Sequence, residues 1–99
     1  ERLQVNKCHF LGKVSDPPCL KTENGTSVVR FVLEIEEYRK DRNGDKKRSV
    51  TYLDFEAWDS AALAIEKYAS QGCLMAVESI ARKFHGEVWF RVTNFKILH

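Results

Sequence analysis

Apolar and polar residues alternate along much of this chain, and the alternation predicts strands. From Val29 to Tyr38, Val29, Phe31, Leu33 and Ile35 fall on one phase, while Arg30, Val32, Glu34, Glu36 and Tyr38 fall on the other. That is the period of a half-buried strand. A second alternating run, about Ser49 to Trp58, puts Leu53, Phe55 and Ala57 inward and Tyr52, Asp54, Glu56 and Trp58 outward. Further strands are predicted over Val5 to Val14, Leu74 to Phe84 and Val88 to Leu98. Asn24-Gly25, Asn43-Gly44 and His85-Gly86 punctuate them as turns, and Pro17-Pro18 stops the first strand.

One segment breaks the period. Asp59 is placed to cap a helix through Ala61, Ala62, Leu63, Ala64, Ile65 and Glu66. Ala62, Ile65, Tyr68 and Ala69 share one face, and Gly72 is placed as the left-handed residue beyond the C-terminus. The predicted order is three strands, one helix, two strands: all-β with one helix. It corresponds to a five-stranded Greek-key OB-fold barrel with the helix between strands 3 and 4, an architecture that hosts oligonucleotide and oligosaccharide sites. At 99 residues the chain is read as a single domain, 1–99. It shows no repeat or linker and no run long enough for a spanning helix, so no membrane is implied. The start, Glu1-Arg2-Leu3-Gln4, has the character of neither a signal nor a transit peptide.

The net charge of +2 matters less than its distribution. Between Arg39 and Arg48 stand Arg39, Lys40, Arg42, Lys46, Lys47 and Arg48, against only Asp41 and Asp45. Tyr38 and Tyr52 flank this segment on the outward phase, Trp58 shares that phase, and Phe84 follows Arg82-Lys83 at the last hairpin. Outward rings beside cations suit an unpaired nucleic-acid strand: bases stack on the rings whatever their identity, and phosphates meet the cations. Such contacts do not distinguish the sugar, so RNA falls within the same reading. A lone outward aromatic is more often a partly buried residue or a subunit contact; it is the combination that is specific.

Catalysis finds no support. His9, His85 and His99 are scattered, no Cys/His pair has ligand spacing, and nucleophile elbow and phosphate loop are both missing. No catalytic residue, metal or cofactor is therefore expected. Cys8, Cys19 and Cys73 are read as free thiols of a reducing compartment, two of them packed in strands.

Over Asn6 to Leu98 the chain resembles the bacterial-type single-stranded DNA-binding protein family. The matching stretches are Asn6-Lys7, Gly12-Lys13-Val14, Asp16-Pro17, Asn24-Gly25, Phe31-Val32-Leu33, Thr51-Tyr52-Leu53-Asp54, Ala57-Trp58, Gly72 and Val77-Glu78. The resemblance implies base stacking by Tyr38, Tyr52, Trp58 and Phe84. With the neighbouring cations, the candidate DNA contacts are Lys7, Lys13, Tyr38, Arg39, Lys47, Arg48, Tyr52, Trp58, Arg82, Lys83 and Phe84. It further implies sequence-independent binding of single-stranded DNA in replication, recombination and repair. A homo-oligomer, tetramer or dimer, is implied as well, working in the bacterial cytoplasm at the nucleoid or in an organelle.

The chain also departs from the family. Glu34 and Ser79 stand where Ala and Gly are common, and the basic residue after Asp16-Pro17 comes one place late, at Lys21. The loop at His85-Gly86 is short, which implies a smaller footprint, and no acidic C-terminal tail precedes the end at His99. Glu36 and Glu56 sit on the proposed binding face, where they would repel phosphate. These acids support the rival reading, a primosome-type OB-fold accessory protein acting through protein contacts.

Overall fold

The computed structural model describes residues 3–98; Glu1, Arg2 and the terminal His99 considered above lie outside them. It is mostly β with one helix. The elements run β1 (Cys8–Val14), β2 (Cys19–Glu23), β3 (Thr26–Lys40), β4 (Lys46–Trp58), α1 (Ser60–Tyr68), β5 (Leu74–Phe84) and β6 (Glu87–Leu98). They form one six-stranded sheet in the order β1-β5-β6-β4-β3-β2, with an additional β1–β3 pairing at Lys13↔Glu34 and Val14↔Leu33. That pairing joins β1 to both β5 and β3, so the strands curl around a shared interior.

There are six strands where five were expected. The sixth, β2, carries no alternation to betray it: Cys19 to Thr22 are all exposed. It pairs with β3 because Asn24 and Gly25 take φ of 50° and 78°, the left-handed pair a two-residue hairpin turn needs. His85 and Gly86 close β5–β6 in the same way, with φ of 50° and 81°. Strand β1 begins at Cys8, not Val5, whose side chain is exposed. Strand β4 starts three residues before Ser49, because the basic segment is itself paired: Tyr38↔Arg48, Arg39↔Lys47 and Lys40↔Lys46 are rungs of the ladder.

The core follows the predicted phases. Val29, Phe31 and Leu33 from β3 meet Phe55 and Ala57 from β4, Val14 from β1, and Met75 and Val77 from β5. Phe31 stacks on Phe55 at 5.4 Å, and Phe10 sets its edge against Phe55 and Phe90. Helix α1 closes one end with Ala62, Ile65 and Ala69. Gly12 lies where β1 crosses β3. A Cβ there would come within 2.9 Å of the Glu34 carbonyl oxygen and 3.0 Å of the Ile35 side chain.

The helix ends differ from expectation. Asp59 occupies the N-cap position at φ 58°, but its side chain makes no capping bond. Tyr68 is 61% exposed rather than on the buried face, because the helix stops there and Ala69, already extended, takes the inward place. Gly72 is left-handed, but it belongs to the following turn, where its N–H donates to the Val14 carbonyl at 2.8 Å. The three cysteines are free; Cys8 and Cys19 lie in strands, Cys19 exposed, and Cys73 just precedes β5. Ser79, the family's common glycine position, is fully buried at a register shift in β5–β6 with its hydroxyl unpartnered.

Candidate nucleic-acid interface

In an antiparallel pair, residues directly opposite share a face. The register of β3–β4 therefore aligns Tyr38 with Arg48, Glu36 with Val50, Glu34 with Tyr52, Val32 with Asp54, Arg30 with Glu56 and Val28 with Trp58, all on the face away from the core. Tyr38, Tyr52 and Trp58 thus lie in one line. Tyr52 and Trp58 are six residues apart on β4, about 20 Å at the rise of an extended strand. Tyr38 is 54% and Tyr52 59% exposed. Trp58 is half-buried, and its indole Nε1 is enclosed without a hydrogen-bond partner.

Strand β6 carries the face onward. It runs parallel beside β4, with Phe55↔Phe90 and Glu56↔Arg91 as partners, and then pairs with β5 through Arg82↔Trp89 and Phe84↔Glu87. Phe84, 58% exposed, thereby reaches the Trp58 end of the line. Trp58, Phe84, Arg82 and Lys83 border a cleft of about 330 Å³ together with Arg30, Trp89 and Arg91.

The acids that threatened the site are paired. Glu36 accepts from Arg48 Nη2 at 2.9 Å and from the Tyr38 hydroxyl, and Glu34 accepts from the Tyr52 hydroxyl at 3.2 Å. Glu56 accepts from Arg91 Nε at 3.3 Å and lies 3.9 Å from Arg30, which donates to Glu23 at 2.8 Å. Hydrogen bonding from Arg48, then from Tyr38, holds the Glu36 carboxyl below its ordinary range. The bond from Arg30 does the same for Glu23. The two tyrosine hydroxyls are pushed up by donating to Glu36 and Glu34. Rings on this face are thus anchored at their polar ends by the carboxylates that looked like obstacles.

The β3–β4 hairpin stands off the core, since both phases are exposed from Glu36 to Lys40 and from Lys46 to Ser49. Its turn is keyed by Asp41, whose Oδ1 accepts from the N–H of Asn43 and of Asp45, each at 2.9 Å. Lys40 faces Lys46 on the aromatic side, and Arg39 faces Lys47 on the other. Like charges set directly opposite are unfavourable by themselves, and an anion lying over them relieves that cost. Lys46 Nζ stands 4.6 Å from the centre of the Tyr38 ring.

The remaining candidates divide. Lys13 is exposed on β1 and paired in register with Glu34, which puts it beside Tyr52. Lys7 is exposed ahead of β1, next to Asn6, which exchanges two 2.8 Å bonds with the Ala81 backbone; no contact ties Lys7 to the aromatic line. Arg39 and Lys47 belong to the hairpin but to its opposite side. Trp89, Arg30 and Arg91 join the face without having been singled out. The outward phase of Arg30 was legible, and so was the place of Trp89 and Arg91 between Val88, Phe90 and Val92. What was hidden was the parallel β4–β6 contact that brings them together. Among the described residues no group of His, Cys, Asp and Glu is arranged to hold a metal ion, and no helix is long and apolar enough to cross a membrane.

Comparison with known proteins agrees with this geometry. The model of the Single-strand binding protein family matches residues 5–85. A Plasmodium falciparum SSB in complex with ssDNA superposes with a TM-score of 0.85 at 22% identity, covering 100% of this chain and 99% of that one. A deletion mutant of the single-stranded DNA binding protein from Thermus aquaticus gives 0.84 at 16% identity, covering 96% of this chain. This chain spans about half of that Thermus chain, 51% of it. PriB from Ralstonia solanacearum gives 0.79 at 9% identity, covering 97% of this chain and 100% of its own. No curated protein matches by sequence.

Proposed function

Because this chain belongs to the single-strand binding protein family, we propose that it binds single-stranded DNA without sequence preference, by stacking bases on aromatic side chains and drawing phosphates to neighbouring cations. The observation that carries this reading is the alignment of Tyr38, Tyr52 and Trp58 on the outer β3–β4 face, with Arg48, Lys46 and Lys13 beside them. Phe84, Arg82 and Lys83 extend the track at one end, while Arg39 and Lys47 widen the charge of the projecting hairpin. Lys7 is assigned an outlying phosphate contact. The path implied is an extended strand laid along β4 toward β5–β6.

We read the sheet, closed by β1–β3, as the five-stranded Greek-key OB-fold barrel with β2 as an edge addition. Residues 1–99 then act as one DNA-binding domain, non-catalytic and without cofactor, at work in the cytoplasm on DNA exposed during replication, recombination and repair. Self-association to a dimer or tetramer is part of the proposal, supported by exposed Leu11 and Leu74 on adjacent strands β1 and β5. The likeness to PriB leaves the accessory-protein reading with the fold alone, since the acids that favoured it are engaged by Arg48, Arg30 and Arg91.

The test is titration of a dye-labelled oligothymidine, followed by anisotropy. Binding is expected at low salt, weakening steeply as salt rises because phosphate neutralisation releases counterions. Equal affinity is expected for mixed-sequence oligomers. Absence of binding at micromolar protein and low salt would overturn the proposal.

A further inference from the structure

We propose that Trp89 is a base-stacking platform, and that the cleft it shares with Trp58 receives one unpaired nucleotide, its base on the indole and its phosphate against Arg30 or Arg82. This rests on the function proposed above and adds a subsite that the four aligned aromatics do not include.

Position comes first. Val88, Phe90 and Val92 occupy the other phase of β6, so Trp89 and Arg91 emerge on the face that carries Trp58 and Glu56. The pairing Arg82↔Trp89 sets the indole beside a guanidinium near the tip of the β5–β6 hairpin. Trp89 also forms the wall between two clefts. One, of about 330 Å³, contains Trp58, Phe84 and Arg91; the other, of about 220 Å³, contains Pro17, Cys19 and Asp54.

Burial points the same way. Phe90, one residue on, packs against the hydrophobic core, whereas Trp89 does not. A half-buried indole outside the core is enclosed by polar neighbours instead. Arg30 lies 5.8 Å from the Trp89 ring centre, and Arg91 lies 5.3 Å from that of Trp58. A cation near a ring face is favourable in itself, but it also marks a flat surface open to another planar group. Four cations (Arg30, Arg82, Lys83 and Arg91) border the larger cleft against two carboxylates, Glu23 and Glu56, both already bound to arginine. A planar base with an attached phosphate meets both requirements, rings to stack on and surplus positive charge.

The chain has 2 tryptophans, which makes the test direct. Trp58→Phe leaves Trp89 as the sole indole emitter, and dye-labelled oligothymidine reports binding independently by anisotropy. Quenching of Trp89 emission in step with anisotropy, reversed by salt, is the expected result. Trp89→Ala should weaken binding roughly 5- to 100-fold, with Trp89→Phe restoring most of it. Should Trp58→Phe fold poorly, Trp89→Phe gives the complement, and the share of total quenching it removes is the Trp89 signal. Full binding by anisotropy with flat Trp89 emission, or unchanged quenching in Trp89→Phe, would overturn the subsite while leaving the main function in place. No anisotropy change with the unaltered protein would remove both.

Discussion

Glu36 shows how one side chain changes meaning between sequence and fold. On the outward phase it is a negative charge in the path of phosphate; in place it holds Arg48 at 2.9 Å and the Tyr38 hydroxyl. Its folded pKa is depressed, so the interaction is present above the ordinary carboxylate value and is lost as pH falls through the lower, folded value. DNA affinity should consequently be insensitive to this group from about pH 8 to about pH 5. Glu36→Gln releases Arg48 and removes a repelling charge. Low-salt affinity is then expected to rise about two- to fivefold, the range of an exposed ion pair, and the slope of log affinity on log salt to steepen by about 0.7. Salt-dependent titration of the variant beside the parent protein checks both; a fall in affinity would mean that anchoring the Tyr38 ring outweighs freeing Arg48.

At the scale of elements, the β3–β4 hairpin is built against its own stability. Lys40 faces Lys46 and Arg39 faces Lys47, with both arms exposed on both sides. Lys40→Glu turns one like-charge rung into an opposite-charge pair and leaves Lys46 over Tyr38. The thermal midpoint should rise by about 1–4 °C while DNA affinity falls and its salt slope flattens by about 0.7. Thermal melting and titration of the same preparation test the two halves together. Much of this hairpin was readable beforehand: the cations and the Asn43-Gly44 turn are evident in the chain. That the cations ride on paired strands was not, because the polar run from Arg39 to Arg48 lacks the period-two contrast that marks a strand with one side buried.

For the whole molecule, closure depends on β1 touching both β5 and β3. Gly12 permits that approach, and a Cβ would meet the Glu34 carbonyl oxygen at 2.9 Å. Backbone cannot retreat as a flexible side-chain tip can. Gly12→Ala is expected to destabilise the fold by about 1–3 kcal/mol, measured by denaturant unfolding, with DNA affinity of the folded fraction largely kept. Closure also sets the reach of the binding face, since the parallel β4–β6 contact carries the line from Trp58 on to Trp89 and Phe84.

Local chemistry sufficed wherever one face of a strand meets apolar neighbours and the other meets water, because that contrast is written residue by residue. The inward phases of β3 and β4, the hairpins at Asn24-Gly25 and His85-Gly86, and the outward tyrosines are of this kind. Three-dimensional packing was needed wherever partners are far apart in the chain or where no such contrast exists. Strand β2 forms by hydrogen bonding to an edge, Tyr68 loses its inward place to Ala69, and Glu56 finds Arg91 thirty-five residues on. Backbone pairing and ion pairing between distant segments leave no periodic trace, so only the folded arrangement brings Trp89, Arg30 and Arg91 to the face that Tyr38, Tyr52 and Trp58 begin.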